Sequence, residues 1–302
     1  MKNIKSITGI TYNIGENDTI LNEYKSSYQE FDLNNNIIKE IEYSKNGEFE
    51  SAIEYKYNDK FNITEEINYI DEEEVGEHII FKFDEEDNLI GTETTFPDGS
   101  KSIEVATHNE NVWIILTHDE KGNFEGEEIR KFDENDNIIE ETIYDEDKKN
   151  IQKIIYEYDD KFNNVSSTEY GEKGIFVVRK NFVFNEEGSV VKESSYNERG
   201  ILINITESKY NDEDELILQQ IDNAYLIEIT YDDNNRKIKQ QTTNLSINLV
   251  ELLIIYNYDD EGFLIEEITF DMVQQYNVYH ATGIINSKSI STKYQYEFFK
   301  TE

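Results

Sequence analysis

The sequence predicts an all-β fold, an antiparallel meander of about 20 or more strands that coils into a superhelical or barrel-like shell or folds into a sandwich. Three observations predict it: an aromatic-acid step that recurs every 26 residues, an alternation of apolar and polar residues, and turn-forming residues between the alternating segments. The repeat is interpreted first, because each repeat of such a chain is one structural unit.

The aromatic-acid step is an aromatic residue followed directly by Asp or Asn. Its aromatic positions are Phe31, Tyr57, Phe83, Phe132, Tyr158, Phe184, Tyr210, Tyr231 and Tyr258. Five of the eight intervals between these positions are 26 residues. A second aromatic residue often follows twelve positions later, as at Tyr43 and Tyr170. The unit is therefore about 13 residues long, and two units make the 26-residue period.

The alternation inside each unit has a period of two residues. In "IEYKY", Ile53, Tyr55 and Tyr57 share one parity, while Glu54 and Lys56 hold the other. A period of two is typical of β-strands, because successive side chains point to opposite faces of a sheet. We expect the face with Tyr, Phe and Ile to point inward and the face with Glu, Lys and Thr to lie in water.

The turns between strands are predicted from the residues around each aromatic. The fourth residue after it is usually Gly, Asn or Asp, as at Gly47, Asn35 and Asp136. These residues tolerate a positive φ at the end of a four-residue hairpin loop. The Asp or Asn directly after the aromatic is expected to accept a hydrogen bond from the backbone two residues on, as in an Asx-turn. Each unit is thus one strand and one tight reversal.

The predicted domain organisation is one repeat domain over residues 1–302. An N-terminal cap covers residues 1–28, the repeats cover 29–270, and a C-terminal cap covers 271–302. Caps are expected because a repeat array needs protection at its terminal edges.

The units "YEYDDKFNNV", "YNYDDEGFLIEEITF" and "FVFNEEGSVVKESSY" resemble the YD repeat of the rearrangement-hotspot (RHS) family. The resemblance is at the level of the repeat and spans about residues 29–270. It implies a spiral shell of β-strands, which in large members of that family encloses a toxin module. It also implies the context of polymorphic toxin systems, in which small acidic cytosolic proteins commonly serve as immunity partners.

The composition is strongly acidic, with 66 Asp and Glu against 28 Lys and Arg and a net charge of −38. Such a chain repels nucleic-acid phosphates and anionic lipid headgroups and favours basic protein partners. There is no Cys, and the first twenty residues lack the apolar core of a signal peptide. We therefore expect a cytoplasmic protein that binds neither nucleic acid nor membrane.

Candidate catalytic and metal sites are weakly supported. Paired carboxylates can perform acid-base chemistry in a cleft, but acids at every turn are better explained as turn caps and solubilising charge. Calcium is the stronger alternative, although no EF-hand pattern occurs. The four histidines, His78, His108, His118 and His280, are far apart in sequence. We expect no enzyme activity, no cofactor and no metal site.

The leading hypothesis is a non-enzymatic acidic binding protein, of the immunity or antitoxin type, that occludes a basic toxin or effector. The alternatives are a structural shell or scaffold, such as an RHS-like carrier, and a DNA-mimic inhibitor. Partner binding is assigned to the densest acidic turns. The predicted partner-binding residues are Asp71, Glu72, Glu73, Glu74, Asp84, Glu85, Glu86, Asp87, Asp133, Glu134, Asp136, Asp145, Glu146, Asp147, Asp212, Glu213 and Asp214.

Overall fold

The computed structural model describes residues 3–15, 18–271 and 288–300, and this part of the chain forms 22 β-strands. The strands are β1 (Ile4–Ile14), β2 (Ile20–Phe31), β3 (Ile37–Tyr43), β4 (Phe49–Tyr57), β5 (Ile63–Tyr69), β6 (Val75–Phe83), β7 (Leu89–Thr95), β8 (Lys101–Asn109), β9 (Val112–Asp119), β10 (Phe124–Phe132), β11 (Ile138–Tyr144), β12 (Asn150–Tyr158), β13 (Asn164–Gly171), β14 (Phe176–Phe184), β15 (Val190–Tyr196), β16 (Leu202–Tyr210), β17 (Leu216–Ile221), β18 (Tyr225–Tyr231), β19 (Lys237–Asn244), β20 (Leu249–Tyr258), β21 (Leu264–Asp271) and β22 (Lys288–Phe298). One 3-10 turn, Glu172–Gly174, joins β13 to β14.

The strands follow the repeat of the sequence. Those of the regular units begin six residues after an aromatic-acid step, as β3 does at Ile37 and β11 at Ile138. Paired neighbours run antiparallel, and consecutive strands within residues 18–271 are joined by short turns. The prediction of an all-β antiparallel meander with more than twenty strands is confirmed. Among the described residues, no helix is long and apolar enough to cross a bilayer.

The chain divides into two compact units. Unit 1 comprises Met1–Tyr55, Tyr69–Glu73 and Ser208–Glu302, and unit 2 comprises Lys56–Asn68 and Glu74–Glu207. The single repeat domain with terminal caps stays a prediction, and residues 272–287 of the predicted C-terminal cap lie outside the described residues.

Unit 1 contains an unbroken series of ten paired strands, which runs from β17 through β22 and then from β1 through β4. The first and last strands of the chain are therefore neighbours. Thr11 of β1 lies opposite Thr292 of β22, with 2.8 Å between their hydroxyl oxygens. The Thr11 hydroxyl also donates to the Ser26 hydroxyl of β2 at 2.7 Å, so polar side chains join three strands here.

Unit 2 contains an unbroken series of eleven strands in chain order, β6 through β16, each paired with the next. Because every connection reverses the chain, alternate turns lie at the same edge of this sheet. The 26-residue period of the sequence therefore places equivalent turns side by side.

Tyrosine hydroxyls tie neighbouring repeats together. The Tyr158 hydroxyl, just before one turn, donates to the Ile138 carbonyl, just after the neighbouring turn, at 2.7 Å. Bonds of this kind also run in unit 1 from Tyr231 to the Leu216 carbonyl, from Tyr258 to the Lys237 carbonyl and from Tyr296 to the Leu264 carbonyl. These bonds give a physical role to the tyrosine of the aromatic-acid step. Its ring covers apolar surface, and its hydroxyl donates a hydrogen bond to a backbone carbonyl.

The face that carries Tyr, Phe and Ile was predicted to point inward, but its side chains are less buried than this prediction implies. In the part of the chain with described side chains, no Tyr, Phe or Ile is fully buried, and Ala52, 5% exposed, is the only buried apolar residue. The other buried side chains are small hydroxyls, such as Thr142 and Ser194. Thr142 lies between Ile129 and Lys153 on the adjacent strands, and such longer neighbours cover a short side chain without a second layer.

Candidate functional site

The two edges of the unit 2 sheet differ in charge. One edge, here called the acidic edge, consists of turns 84–88, 110–111, 133–137, 159–163 and 185–189. The opposite edge, here called the mixed edge, consists of connections 96–100, 120–123, 145–149, 172–175 and 197–201. The acidic edge carries twelve acidic residues and one basic residue, whereas the mixed edge carries seven acidic and five basic residues. The acidic edge is the candidate functional site.

The backbone of each turn is organised by the residue after the aromatic. In turn 159–163 the Asp159 carboxylate accepts hydrogen bonds from the backbone N–H groups of Lys161 and Asn163, both at 2.9 Å. The Asn163 side-chain amide donates to the second carboxylate oxygen at 3.1 Å. The predicted Asx-turn is therefore confirmed and is extended by a bond four residues on. We call an Asp or Asn whose side chain accepts the backbone N–H groups two and four residues on a turn clamp.

Turn clamps recur along both units. The clamping residues include Asp32, Asn58, Asp84, Asp119, Asp133, Asp145, Asp159, Asn197, Asn211, Asp232 and Asp259. Hydrogen bonds from the Asn four residues on and from the backbone hold the pKa of Asp84, Asp133 and Asp159 below its usual range. These carboxylates remain ionised at neutral pH but are occupied by their own turns.

Two carboxylates along the strands of unit 2 are each bridged by two lysines. Glu93 lies between Lys82 and Lys101, with N···O distances of 3.0 and 2.6 Å. Glu140 is bridged in the same way by Lys131 and Lys153 at 2.8 and 2.7 Å. Hydrogen bonds from these lysines hold the pKa of Glu93 and Glu140 below its usual range. These two strand carboxylates are therefore already engaged by lysines.

The structure separates the predicted partner-binding residues. Residues 84–87 and 133–136 share the acidic edge of unit 2, whereas 145–147 lie at the mixed edge. Residues 212–214 lie in a turn of unit 1, and residues 71–74 form the exposed connection between β5 and β6. The assignment of partner binding to these acids stays a prediction, and the structure brings only the first two groups together at one edge.

The predicted residues also differ in what their carboxylates do. Asp84, Asp133 and Asp145 are turn clamps, and Asp147 pairs with Lys149 at 2.6 Å. The glutamates at the turn tips are exposed to solvent. On the acidic edge these exposed glutamates are Glu85, Glu86, Glu134, Glu110, Glu186 and Glu187. They are the side chains best placed to contact a partner, and the last three were not among the predicted residues.

Sequence reasoning also missed two phenylalanines, Phe61 and Phe162. They occupy the fourth position after the aromatic, where most other turns carry Gly, Asn or Asp, and their φ angles are 68° and 65°. The signal was present in the sequence, because a bulky residue at a position that favours positive φ is unusual.

Two further features bear on chemistry. Among the described residues, no group of three or more His, Asp or Glu side chains is arranged to hold a metal ion.

An open cleft of about 270 Å³ in unit 1 is lined by residues that include Tyr43, Phe49 and Tyr69. Two of its charged residues are already engaged, since Lys39 pairs with Glu54 at 2.7 Å and the Tyr69 hydroxyl donates to Glu54 at 3.2 Å.

No protein-family model matches the chain, and no curated protein matches its sequence. Among solved structures, TcdB2-TccC3 without its hypervariable C-terminal region is 9% identical with a TM-score of 0.42, over 80% of this chain and 15% of that one. A porin-like protein from Bacteroides uniformis is 9% identical with a TM-score of 0.35, over 97% of this chain and 98% of that one. A porin-like protein from Bacteroides vulgatus is 12% identical with a TM-score of 0.28, over 70% and 100% of the two chains.

The matched region spans only 15% of the length of the TcdB2-TccC3 chain. These likenesses concern the arrangement of strands at most. Membership of the YD-repeat family remains a prediction, and function is argued from the chain's own residues.

Proposed function

We propose that this chain is a non-enzymatic binding protein whose acidic edge in unit 2 binds a basic protein. The observation that carries the proposal is the charge asymmetry of that sheet, twelve acidic residues and one basic residue at one edge against seven and five at the other. An edge of one sign attracts partners of the opposite sign, speeds their encounter and suppresses wrong partners.

The partner we propose is a basic toxin or effector that acts in the same cytoplasm, so that the chain serves as its immunity protein. The net charge of −38 and the resemblance of the repeats to YD repeats support this choice. Occlusion of a basic active site requires contact surface and charge only, and the proposed role therefore includes no catalytic step.

The test compares two variants with equal changes in charge. In the edge variant, Glu85, Glu86, Glu134 and Glu186 become Gln, and in the control Glu120, Glu146, Glu172 and Glu198 become Gln. All eight side chains are exposed at turn tips, and none is a turn clamp. Binding of a fluorescent oligolysine peptide is measured by anisotropy at about 50 mM and about 500 mM salt. The Debye length falls strongly between these two concentrations, so electrostatic binding should weaken.

We expect the edge variant to bind the peptide about tenfold more weakly, since four exposed charge pairs at roughly 0.3–0.5 kcal/mol each give that factor. The control should stay within about twofold of wild type. Equal loss in both variants would show that only the net charge matters and would refute the acidic edge as the site.

The immunity role has its own test. The chain is co-expressed with basic toxin domains encoded beside its gene, and the growth of the host is measured. Protection by wild type and by the control, with loss of protection in the edge variant, supports the role. Equal protection by all three proteins would support the role but refute the acidic edge as its site. Absence of protection by wild type would contradict the role itself.

A further inference from the structure

Two strained and exposed aromatic residues lie among the turns of unit 2. Phe61 and Phe162 adopt left-handed backbone conformations, with φ of 68° and 65°. A bulky L-residue is disfavoured there, because its Cβ crowds the following carbonyl. Other turns place Asp87, Asp136 or Gly188 at this position, and these residues tolerate the conformation better.

The strain is not offset by burial of the rings. Phe61 is 57% exposed and Phe162 is 56% exposed, although most other aromatic residues of the described chain are half-buried. The sequence Asp-Lys-Phe-Asn occurs at both places, 59–62 and 160–163. A strained residue that does not contribute to packing is a candidate for a binding role.

Both phenylalanines lie close to acidic turns. Phe162 belongs to turn 159–163 of the acidic edge. Phe61 belongs to turn 58–62, where Lys60 forms an ion pair with Asp87 of the acidic edge. Phe162 therefore lies within the row of carboxylates, and the turn of Phe61 is joined to that row by an ion pair. Aromatic anchors surrounded by charge are the usual composition of an interface hot spot with a polar rim.

We propose that Phe61 and Phe162 are the anchors by which the acidic edge binds a lysine- or arginine-rich protein segment that carries apolar side chains between its charges. Charge complementarity selects this occupant, since a segment that meets carboxylates and an exposed ring together needs both cations and apolar groups. The inference rests on the proposed function, because it specifies the partner of the same edge. Charge brings the segment to the edge, and the rings select its apolar side chains.

The experiment uses two peptides of equal length and equal lysine content, one with serine and one with leucine between the lysines. Affinities are measured for wild type, for Phe61→Asn with Phe162→Asn, and for a control, Ile175→Asn with Ile201→Asn. The control isoleucines are 65% and 56% exposed on the mixed edge. Asn is chosen because Asn35 and Asn235 already occupy the equivalent turn position, so the variant keeps its fold.

Wild type and the control should bind the leucine peptide at least about tenfold more tightly than the serine peptide. The phenylalanine variant should bind both peptides equally, with its affinity for the serine peptide unchanged. If wild type binds both peptides but the variant keeps the preference for leucine, the anchors are refuted and the acidic edge stands. If wild type binds neither peptide, the proposed function itself fails. Concentration-dependent self-association of wild type that the variant abolishes would assign the rings to a contact between copies and overturn the inference.

Discussion

The acidic edge and the mixed edge of unit 2 are built from the same turn and differ in what the turn carries. Turn 133–137 of the acidic edge and connection 145–149 of the mixed edge are both organised by an Asp that accepts backbone N–H groups two and four residues on. The first has three acids and no base, whereas the second adds Lys148 and Lys149. Turn geometry and surface charge are therefore specified by different positions of the same repeat.

The difference follows from the period of the chain. Half-units of about 13 residues alternate between the two edges, so every 26-residue unit contributes one turn to each. Any charge preference confined to one half-unit therefore accumulates along one edge of the sheet. Three predictions test how far the two edges differ, in order of decreasing effect.

The first prediction concerns strain on the acidic edge. Phe162→Asn should increase the free energy of unfolding by about 1 kcal/mol, because Asn tolerates the left-handed conformation that Phe162 holds at φ 65°. Urea denaturation of the full chain measures the change. The reverse substitution Asp136→Phe, in the neighbouring turn, should lower stability by a similar amount. A Phe162→Asn variant less stable than wild type would show that the ring contributes to packing.

The second prediction concerns the bond that links adjacent turns of the acidic edge. Tyr158→Phe removes the hydroxyl that donates to the Ile138 carbonyl and should cost about 1 kcal/mol. The matched control at the mixed edge is Tyr170→Phe, which keeps the ring packed edge-on against Phe176 and should cost less than about 0.5 kcal/mol. Urea denaturation of the two variants gives the comparison. Equal losses would show that the hydroxyl of Tyr158 has no special role.

The third prediction is a pH dependence of the turn clamps. The pKa values of Asp133 and Asp159 are lowered by hydrogen bonds from Asn137 and Asn163, so their stabilisation is present above the unfolded pKa of about 4. It is lost as the pH falls through the lower folded pKa. Asp133→Asn with Asp159→Asn replaces titratable clamps by the amide clamp that Asn58 and Asn197 already form.

Between pH 6 and pH 3 this double variant should lose less thermal stability than wild type, as measured by the melting midpoint. The comparison of the two proteins cancels the relief of general charge repulsion on acidification. An equal or steeper loss in the variant would contradict the role of these two carboxylates. Glu134→Gln, at an exposed tip of the same edge, is the control and should follow wild type.

Much of the fold could be predicted from the sequence because its signals are local. Alternation with a period of two gives strands, and the Asp or Asn after each aromatic gives the reversal, as at Asp159. The turn acids were recognised as clamps and surface charge for the same reason. What was wrong was the degree of burial, because coverage by cross-strand neighbours depends on register, which a single strand does not contain.

The candidate site was only partly predictable. The acids of 84–87 and 133–136 were chosen by density, but density does not distinguish the acidic edge from the mixed edge that holds 145–147. That distinction needs the strand pairing. Phe61 and Phe162 were overlooked because the turn rule was stated for Gly, Asn and Asp only, and the positions that depart from it were not considered.

The pairing of β1 with β22 has a consequence for how the protein is made. On the ribosome, residues 74–207 emerge early enough for their local hairpins to close one after another. The free flank of β1 must instead wait for residues 288–298, and contacts so distant in the chain form slowly. Until then, the unpaired N–H and C=O groups of that flank can pair with another chain. We expect chaperones that act during synthesis to bind there.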